Sequence, residues 1–322
     1  MRLLKLIAPL MLAAKMLSAA EKPNILFILT DDLGATDLAC TGSDLYRTPN
    51  LDKLAAQGVK FTRGYSSAHV CSPTRAALQT GKTPARLHMT DFLRGHPKPY
   101  AKLLVPDWTM GLPTTENSFA KVVKPQGYVS AWFGKWHAGE GASQFGYDAG
   151  SQSWNENTKN DPTDPKGVFT MNKEAMEFIE KNAGKPFFIG MSHYSPHGPV
   201  RFDPALRAEY QKIVDGKPEL RQKNAGYAAM IEALDTSIGQ MLDFLDKKDL
   251  AKNTLVIFTS DNGGELNFTN NAPLRMGKGS LYEGGVRVPV IARWPDHLKP
   301  GSTNETRVSS IDFLPTVATL AG

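Results

Sequence analysis

The chain has 322 residues, of which 41% are hydrophobic, 9% aromatic and 21% charged; it can fold as one large domain or two ordinary ones, and disorder, collagen and coiled coil are excluded. Its two cysteines, Cys40 and Cys71, exclude a disulfide framework and a cysteine-based zinc cluster, so any metal must use oxygen or imidazole ligands. The formal charge of +5 includes Arg2, Lys5 and Lys15; beyond residue 20 there remain 34 basic and 32 acidic side chains, too even a balance for a nucleic-acid or acidic-membrane partner.

In chain order, a basic start at Met1 to Lys5, an apolar run from Leu6 to Ala14 and the small residues Ser18-Ala19-Ala20 predict a signal peptide over 1–20, cleaved before Glu21. No later apolar run is long enough to span a bilayer. The expected product is exported, periplasmic or extracellular, without stable membrane insertion after signal removal. Asn24 to Thr30 reads as a buried strand ending in Asp31-Asp32. Pro49 to Gln57 reads as a helix with Pro at its start and Gly58 at its stop, followed by a strand from Val59 to Thr62. Pro73 to Thr80 predicts a second helix, with Ser72 as N-cap and Gly81 just past its end.

Tyr128 to Phe133 and Pro186 to Ser192 are further apolar runs, each leading into a polar cluster. Between them, Gly139 to Lys166 is rich in Gly, Ser, Asn, Asp and Pro and reads as a long surface excursion. Asn224 to Lys247 is a long amphipathic helix, Thr254 to Thr259 a strand ending in Ser260-Asp261-Asn262, and Ile311 to Leu320 a last helix. This alternation predicts an α/β fold with a mostly parallel central sheet flanked by helices. In such sheets ligands gather outside the C-terminal ends of the strands.

Four of those ends carry reactive residues. Asp31-Asp32 and Asp261-Asn262, 230 positions apart, supply four hard oxygen ligands if their strands are neighbours, which suits calcium or magnesium. Taken singly, either pair also suits a turn or a helix cap. Cys71-Ser72-Pro73-Thr74-Arg75 places a thiol at the mouth of a helix whose unpaired N–H groups favour negative charge, although a small buried Cys beside a helix start looks the same. Lys135, His137, His197 and Lys278 add two cations and two imidazoles able to move protons near neutral pH. Of the remaining histidines, His193 is the one expected to approach the site.

These segments together resemble a type I, formylglycine-dependent sulfatase of the alkaline phosphatase superfamily, similar to arylsulfatase A-like enzymes. The matching blocks are Pro23 to Gly34, Cys71 to Arg75 with Thr80-Gly81-Lys82, Gly134 to His137, Ser195 to Pro199, Thr259 to Gly264, and Gly277 to Gly285. The resemblance covers residues 22 to 320. It implies that Cys71 is converted to Cα-formylglycine by a formylglycine-generating enzyme, and that one hydroxyl of the hydrated aldehyde attacks sulfur while the other expels sulfate. It further implies that Asp31, Asp32, Asp261 and Asn262 hold calcium next to the group derived from Cys71, and that Arg75 and Lys135 steady the sulfuryl oxygens. His137 would help break down the sulfated intermediate, and His197 with Lys278 would serve the leaving-group side.

The expected activity is hydrolysis of a sulfated small molecule or glycan. The alternatives are a phosphonate monoester or phosphodiester hydrolase of the same superfamily, or an inactive truncated fragment. The last follows from a departure: family members continue into a smaller C-terminal antiparallel domain, and here residues 21–322 would form a catalytic domain truncated at its C-terminus.

Overall fold

Asn24–Asp31 (β1) is buried along its whole length because it lies in the middle of the sheet, parallel to Phe187–Pro196 (β5) on one side and to Thr254–Ser260 (β6) on the other. The computed structural model describes residues 22–322 apart from 96–98, 100, 153 and 156; the expected signal segment lies outside the described residues. The other strands are Val59–Tyr65 (β2), Val129–Gly134 (β3), Ala149–Ser151 (β4), Val290–Arg293 (β7) and Ser302–Ser309 (β8). They assemble in the order β4-β3-β5-β1-β6-β7-β2-β8. Among the described strands, β7 alone runs against its neighbours, so the expected mostly parallel sheet is present.

Both faces of the sheet are covered, as continuous apolar strands require. Alternation along β1 sends Leu26 and Ile28 into one core and Ile25, Phe27 and Leu29 into the other. The first core is closed by Pro49–Gln57 (α1), and by Val168–Lys181 and Ala225–Lys247, which become α4 and α6 in chain order. The second is closed by Cys71–Thr80 (α2), Phe119–Val123 (α3) and Phe313–Ala321 (α8). Pro204–Gly216 (α5) packs on α6, and Glu283–Val286 (α7) precedes β7. Each fully buried Leu, Ile or Phe contributes about 1.5–3 kcal/mol. The long helix α6 starts one residue after the expected position, with Asn224 as its N-cap accepting a hydrogen bond from the Tyr227 N–H.

Two sequence expectations change here. Helix α2 begins at Cys71, not Pro73, with the extended Val70 as its cap residue. Pro73 is tolerated there because the first-turn N–H groups of a helix have no intrahelical partner. Ser72 therefore does not cap the helix; its Oγ accepts from the Leu93 N–H at 3.0 Å. Gly81 ends α2 in the left-handed region (φ 65°) as expected. The excursion 139–166 also contains β4, which adds an edge strand in register with β3.

Candidate active site

Thr30 pairs with Ser260 across β1 and β6, so the two acid pairs leave adjacent strands side by side. The Asp32 N–H donates to Asp261 Oδ1 (3.1 Å), and Asn262 Nδ2 donates to Asp32 Oδ1 (2.7 Å). Asp31, Asp32, Asp261 and Asn262 are all essentially inaccessible to solvent. Strand β3 delivers Lys135 and His137, and β5 delivers His197. Helix α2, on the second face, brings Cys71 and Arg75. Asp32 and His137 have left-handed backbones (φ 66° and 51°), a strained conformation that tends to cluster at functional sites.

Cys71 sits at the centre. Its Sγ is 3.5 Å from Asp31 Oδ1 and 3.6 Å from Lys135 Nζ. Lys135 Nζ is 2.6 Å from Asp31 Oδ2. Arg75 donates from Nε to Asp261 Oδ2 (2.8 Å) and from Nη1 to Ser192 Oγ (2.7 Å) and the Lys135 carbonyl (2.9 Å). On the far side, Lys278 Nζ lies 2.6 Å and His197 Nε2 3.7 Å from Asp32 Oδ2. Three buried carboxylates thus face three cations, the compensation that buried charge demands. Every residue singled out in the sequence for catalysis or metal binding falls within this cluster.

The electrostatics follow from burial and neighbours. Burial alone would raise Asp31, but Lys135, His197, Arg75 and Lys278 hold it well below the usual carboxylate range. Burial wins at Asp261, which is pushed up to about 6. Burial also pushes the Cys71 thiol well up, with Lys135 opposing it. His137 is lowered to about 3 by burial and by the nearby Lys135 and Arg75, so its imidazole stays neutral. Burial works against the charge of Lys135 and Lys278, yet Asp31 holds the first and Asp32 the second above the ordinary lysine value.

The donor set fits a hard divalent cation. Asn262 Oδ1 is buried without a hydrogen-bond partner, beside carboxylates of the kind that calcium and magnesium prefer. Asp31, Asp32, Cys71 and His197 each offer a ligand atom within 4.8 Å of one another. Asp261 completes the acidic face, with its oxygens engaged by Arg75 and the Asp32 N–H.

Two adjoining cavities open onto the cluster. One, of about 500 Å³, is lined by Cys71, His137, His197, Glu265 and Lys278; the other, of about 580 Å³, by Asp31, Lys135, Trp154, Lys166 and Tyr194. A larger groove of about 890 Å³ shares Leu266 and Asn267 with the first cavity but carries none of the reactive cluster.

His193, expected to approach the site, does not. It follows Ser192, whose hydroxyl binds Arg75, so strand alternation turns His193 to the opposite face. There it is fully buried, with neither ring nitrogen hydrogen-bonded and its pKa lowered by burial to about 3. Sequence reasoning missed Ser192, which only its position at the end of β5 could have signalled. It also missed Lys166, a lone lysine in the excursion with no sequence signal. Cys40 is half-buried and remote from the cluster, its thiol pushed up to about 12 by burial and Asp52. Among the described residues no helix is long and apolar enough to cross a membrane.

The chain is 33% identical to human arylsulfatase A, covering 95% of itself and 65% of that protein. It is 32% identical to a sulfatase of Formosa agariphila, covering 98% and 72%, and 32% identical to human N-acetylgalactosamine-6-sulfatase, covering 94% and 63%. It therefore spans roughly two thirds of the length of these relatives. Among solved structures, Ps i-CgsB, determined in complex with k-i-k-neocarrahexaose, superposes with a TM-score of 0.80 at 30% identity over 94% of this chain and 72% of that one. The phosphonate monoester hydrolase of Agrobacterium radiobacter shares the fold, with a TM-score of 0.70 at 20% identity over 93% of this chain and 74% of that one. The family model for sulfatases matches residues 23–322, and with the ordered motifs meeting at one set of strand ends, the chain belongs to the sulfatase family.

Proposed function

We propose that this chain hydrolyses a sulfate ester of an aryl compound or carbohydrate, releasing inorganic sulfate, with residues 21–322 forming the catalytic domain. The observation that carries the reading is the position of Cys71, on the first turn of α2 between Asp31 and Lys135 with Arg75 one turn on. In this reading Cys71 is the precursor of formylglycine, made by a formylglycine-generating enzyme. The hydrated aldehyde supplies a hydroxyl nucleophile and a route for expelling sulfate. Asp31, Asp32, Asp261 and Asn262 would hold calcium, whose Lewis acidity polarises a sulfate oxygen; magnesium suits the crowded side chains less well because it demands a near-ideal octahedron.

The protein's own groups have distinct tasks. Lys135 and Lys278, on opposite sides of the acid cluster, place positive charge where the sulfuryl oxygens develop negative charge. Arg75 fixes Asp261 and the end of β3. His137, neutral and lining both cavities, offers a ring nitrogen that can hydrogen-bond the bound group. His197 contacts the Gly198 carbonyl through Nδ1. A carbonyl only accepts, so Nδ1 bears hydrogen and Nε2 faces the cleft, where a proton can be passed to a departing alcohol.

Export through a leader over residues 1–20, to the periplasm or outside the cell, belongs to the same reading. It is checked by N-terminal sequencing of secreted protein, with Glu21 expected first. The activity is tested by co-expression with a formylglycine-generating enzyme, mass measurement of the peptide containing residue 71, and assay of sulfate release from an aryl sulfate. Conversion of Cys71 and complete loss of activity in Cys71→Ala are expected; full activity in that variant overturns the proposal.

A further inference from the structure

Lys166 is 1% exposed, unusual for a lysine. It reaches its place from a left-handed backbone (φ 59°) at the end of the excursion. Its ammonium group is satisfied on three sides: it donates to the His197 carbonyl, lies 3.5 Å from the Tyr194 carbonyl, and stands 4.3 Å from the centre of the Trp154 ring. The two carbonyls are the ends of one turn, itself closed by the His197 N–H donating to the Tyr194 carbonyl at 3.2 Å. Beyond this turn the His197 ring is held by the Gly198 carbonyl, with Nε2 pointing at Asp32. Among the described residues no carboxylate bonds Lys166; its attachments are to the backbone of the His197 turn and to an aromatic face.

We propose that Lys166 is a positioning residue that clamps the Tyr194–His197 turn and so fixes where His197 Nε2 meets the leaving group. The inference rests on the sulfatase reading above and on the leaving-group role of His197 within it. A general acid held in reach of the departing oxygen matters most when the leaving alcohol is basic and least when it is an acidic phenol. Loosening the turn therefore penalises substrates unequally, whereas general destabilisation of the fold penalises them alike.

The experiment compares wild type, Lys166→Met, Lys166→Arg and His197→Gln on aryl sulfates spanning acidic to basic leaving phenols and on one sugar sulfate. For Lys166→Met, kcat is expected to fall about 10–100-fold with the basic leaving groups, at or below the smallest contribution of a positioned acid because the acid is loosened and not removed, and only a few-fold with the most acidic phenol, with KM little changed. Lys166→Arg recovers much of the loss, and His197→Gln shows the same dependence more steeply. An equal fall on every substrate, or a rise in KM alone, overturns the role of Lys166 while leaving the sulfatase reading intact. A His197→Gln variant without leaving-group dependence removes the His197 assignment and this inference with it. If the Met variant does not fold, Lys166→Gln, which keeps an amide donor, is put through the same series and judged by the same outcomes. A readout independent of turnover is the Nδ1–H resonance of His197 in protein labelled with 15N-histidine. It is expected to be slow-exchanging in wild type and Lys166→Arg and broadened in Lys166→Met; an unchanged resonance in Lys166→Met counts against the clamp.

Discussion

Arg75 lays two nitrogens on a single oxygen of Asp261: Nε donates a hydrogen bond to Oδ2, and Nη2 stands at the same 2.8 Å as an ion contact without hydrogen-bond alignment. Both side chains are almost wholly buried, and the remaining donor, Nη1, ties the pair to Ser192 and the Lys135 carbonyl. This one guanidinium joins the ends of β3, β5 and β6 beneath the cleft. Removing it leaves buried carboxylates uncompensated, the situation that costs most in a low-dielectric interior.

Arg75→Met is therefore expected to destabilise the fold by about 3–5 kcal/mol, read from urea unfolding followed by tryptophan fluorescence. Arg75→Lys keeps the charge but loses the fork and should recover only part of the difference. A Met variant as stable as wild type contradicts the account of the ion pair.

Calcium should stabilise the protein whether or not Cys71 has been converted, because the carboxylates and Asn262 Oδ1 belong to the folded site. At calcium one hundred times its dissociation constant the gain is about 2.7 kcal/mol, seen as a higher thermal midpoint that a chelator reverses. Asn262→Leu should blunt this shift. An identical calcium response in that variant removes Asn262 from the ligand set.

His193 predicts a pH dependence of stability. Burial holds its folded-state pKa at about 3, against about 6.5 in an unfolded chain. A depressed pKa of this kind contributes stability that is fully present above the unfolded value and is lost as pH falls from there towards the folded value. The contribution is about 4–5 kcal/mol for the group when it must stay neutral. His193→Leu removes both the titration and the two unpartnered ring nitrogens, so acid unfolding followed by near-UV circular dichroism should move to lower pH. No movement of the midpoint argues against this origin.

Gly263 follows the Asp261-Asn262 pair, and a Cβ on it would lie 1.9 Å from the Gly284 carbonyl oxygen. Backbone cannot swing aside as a side chain can, so Gly263→Ala should destabilise by about 1–3 kcal/mol and, by displacing Asn262, weaken the calcium response. Gly141, whose added Cβ would meet nothing within 4 Å, is the control: Gly141→Ala should stay within about 0.5 kcal/mol of wild type. Equal effects at the two positions would show that backbone crowding is not the cause.

Much of this arrangement was legible in the sequence because the site is built at strand ends. An apolar run that stops at an acid pair announces both the strand and its reactive end, and two such runs needed only to become neighbours, as β1 and β6 do. Helix α2 starts two residues before the position that its proline predicts, because Pro is favoured at the first helical position and here it occupies the third. The edge strands were invisible for a different reason. Ala149–Ser151 is short and small, and Ser302–Ser309 is polar and largely exposed, so neither bears the apolar imprint of a core. His193 lies four residues from His197 along the chain, yet the pleat decides which face a strand residue meets, and it turns His193 away from the site. Lys166 left no trace because its partners are backbone carbonyls, which every sequence possesses.

The stretch from Gly139 to Lys166 looks like the natural unit for exchange between relatives, since it leaves the sheet, adds an edge strand and returns. It is not a detachable ornament. Its middle supplies the Trp154 ring and its end the Lys166 ammonium group, which together underpin the His197 turn. A transplant that discards this pair would change the recognition surface and loosen the chemistry at once, and a chimera designed to report on substrate choice would then report on both.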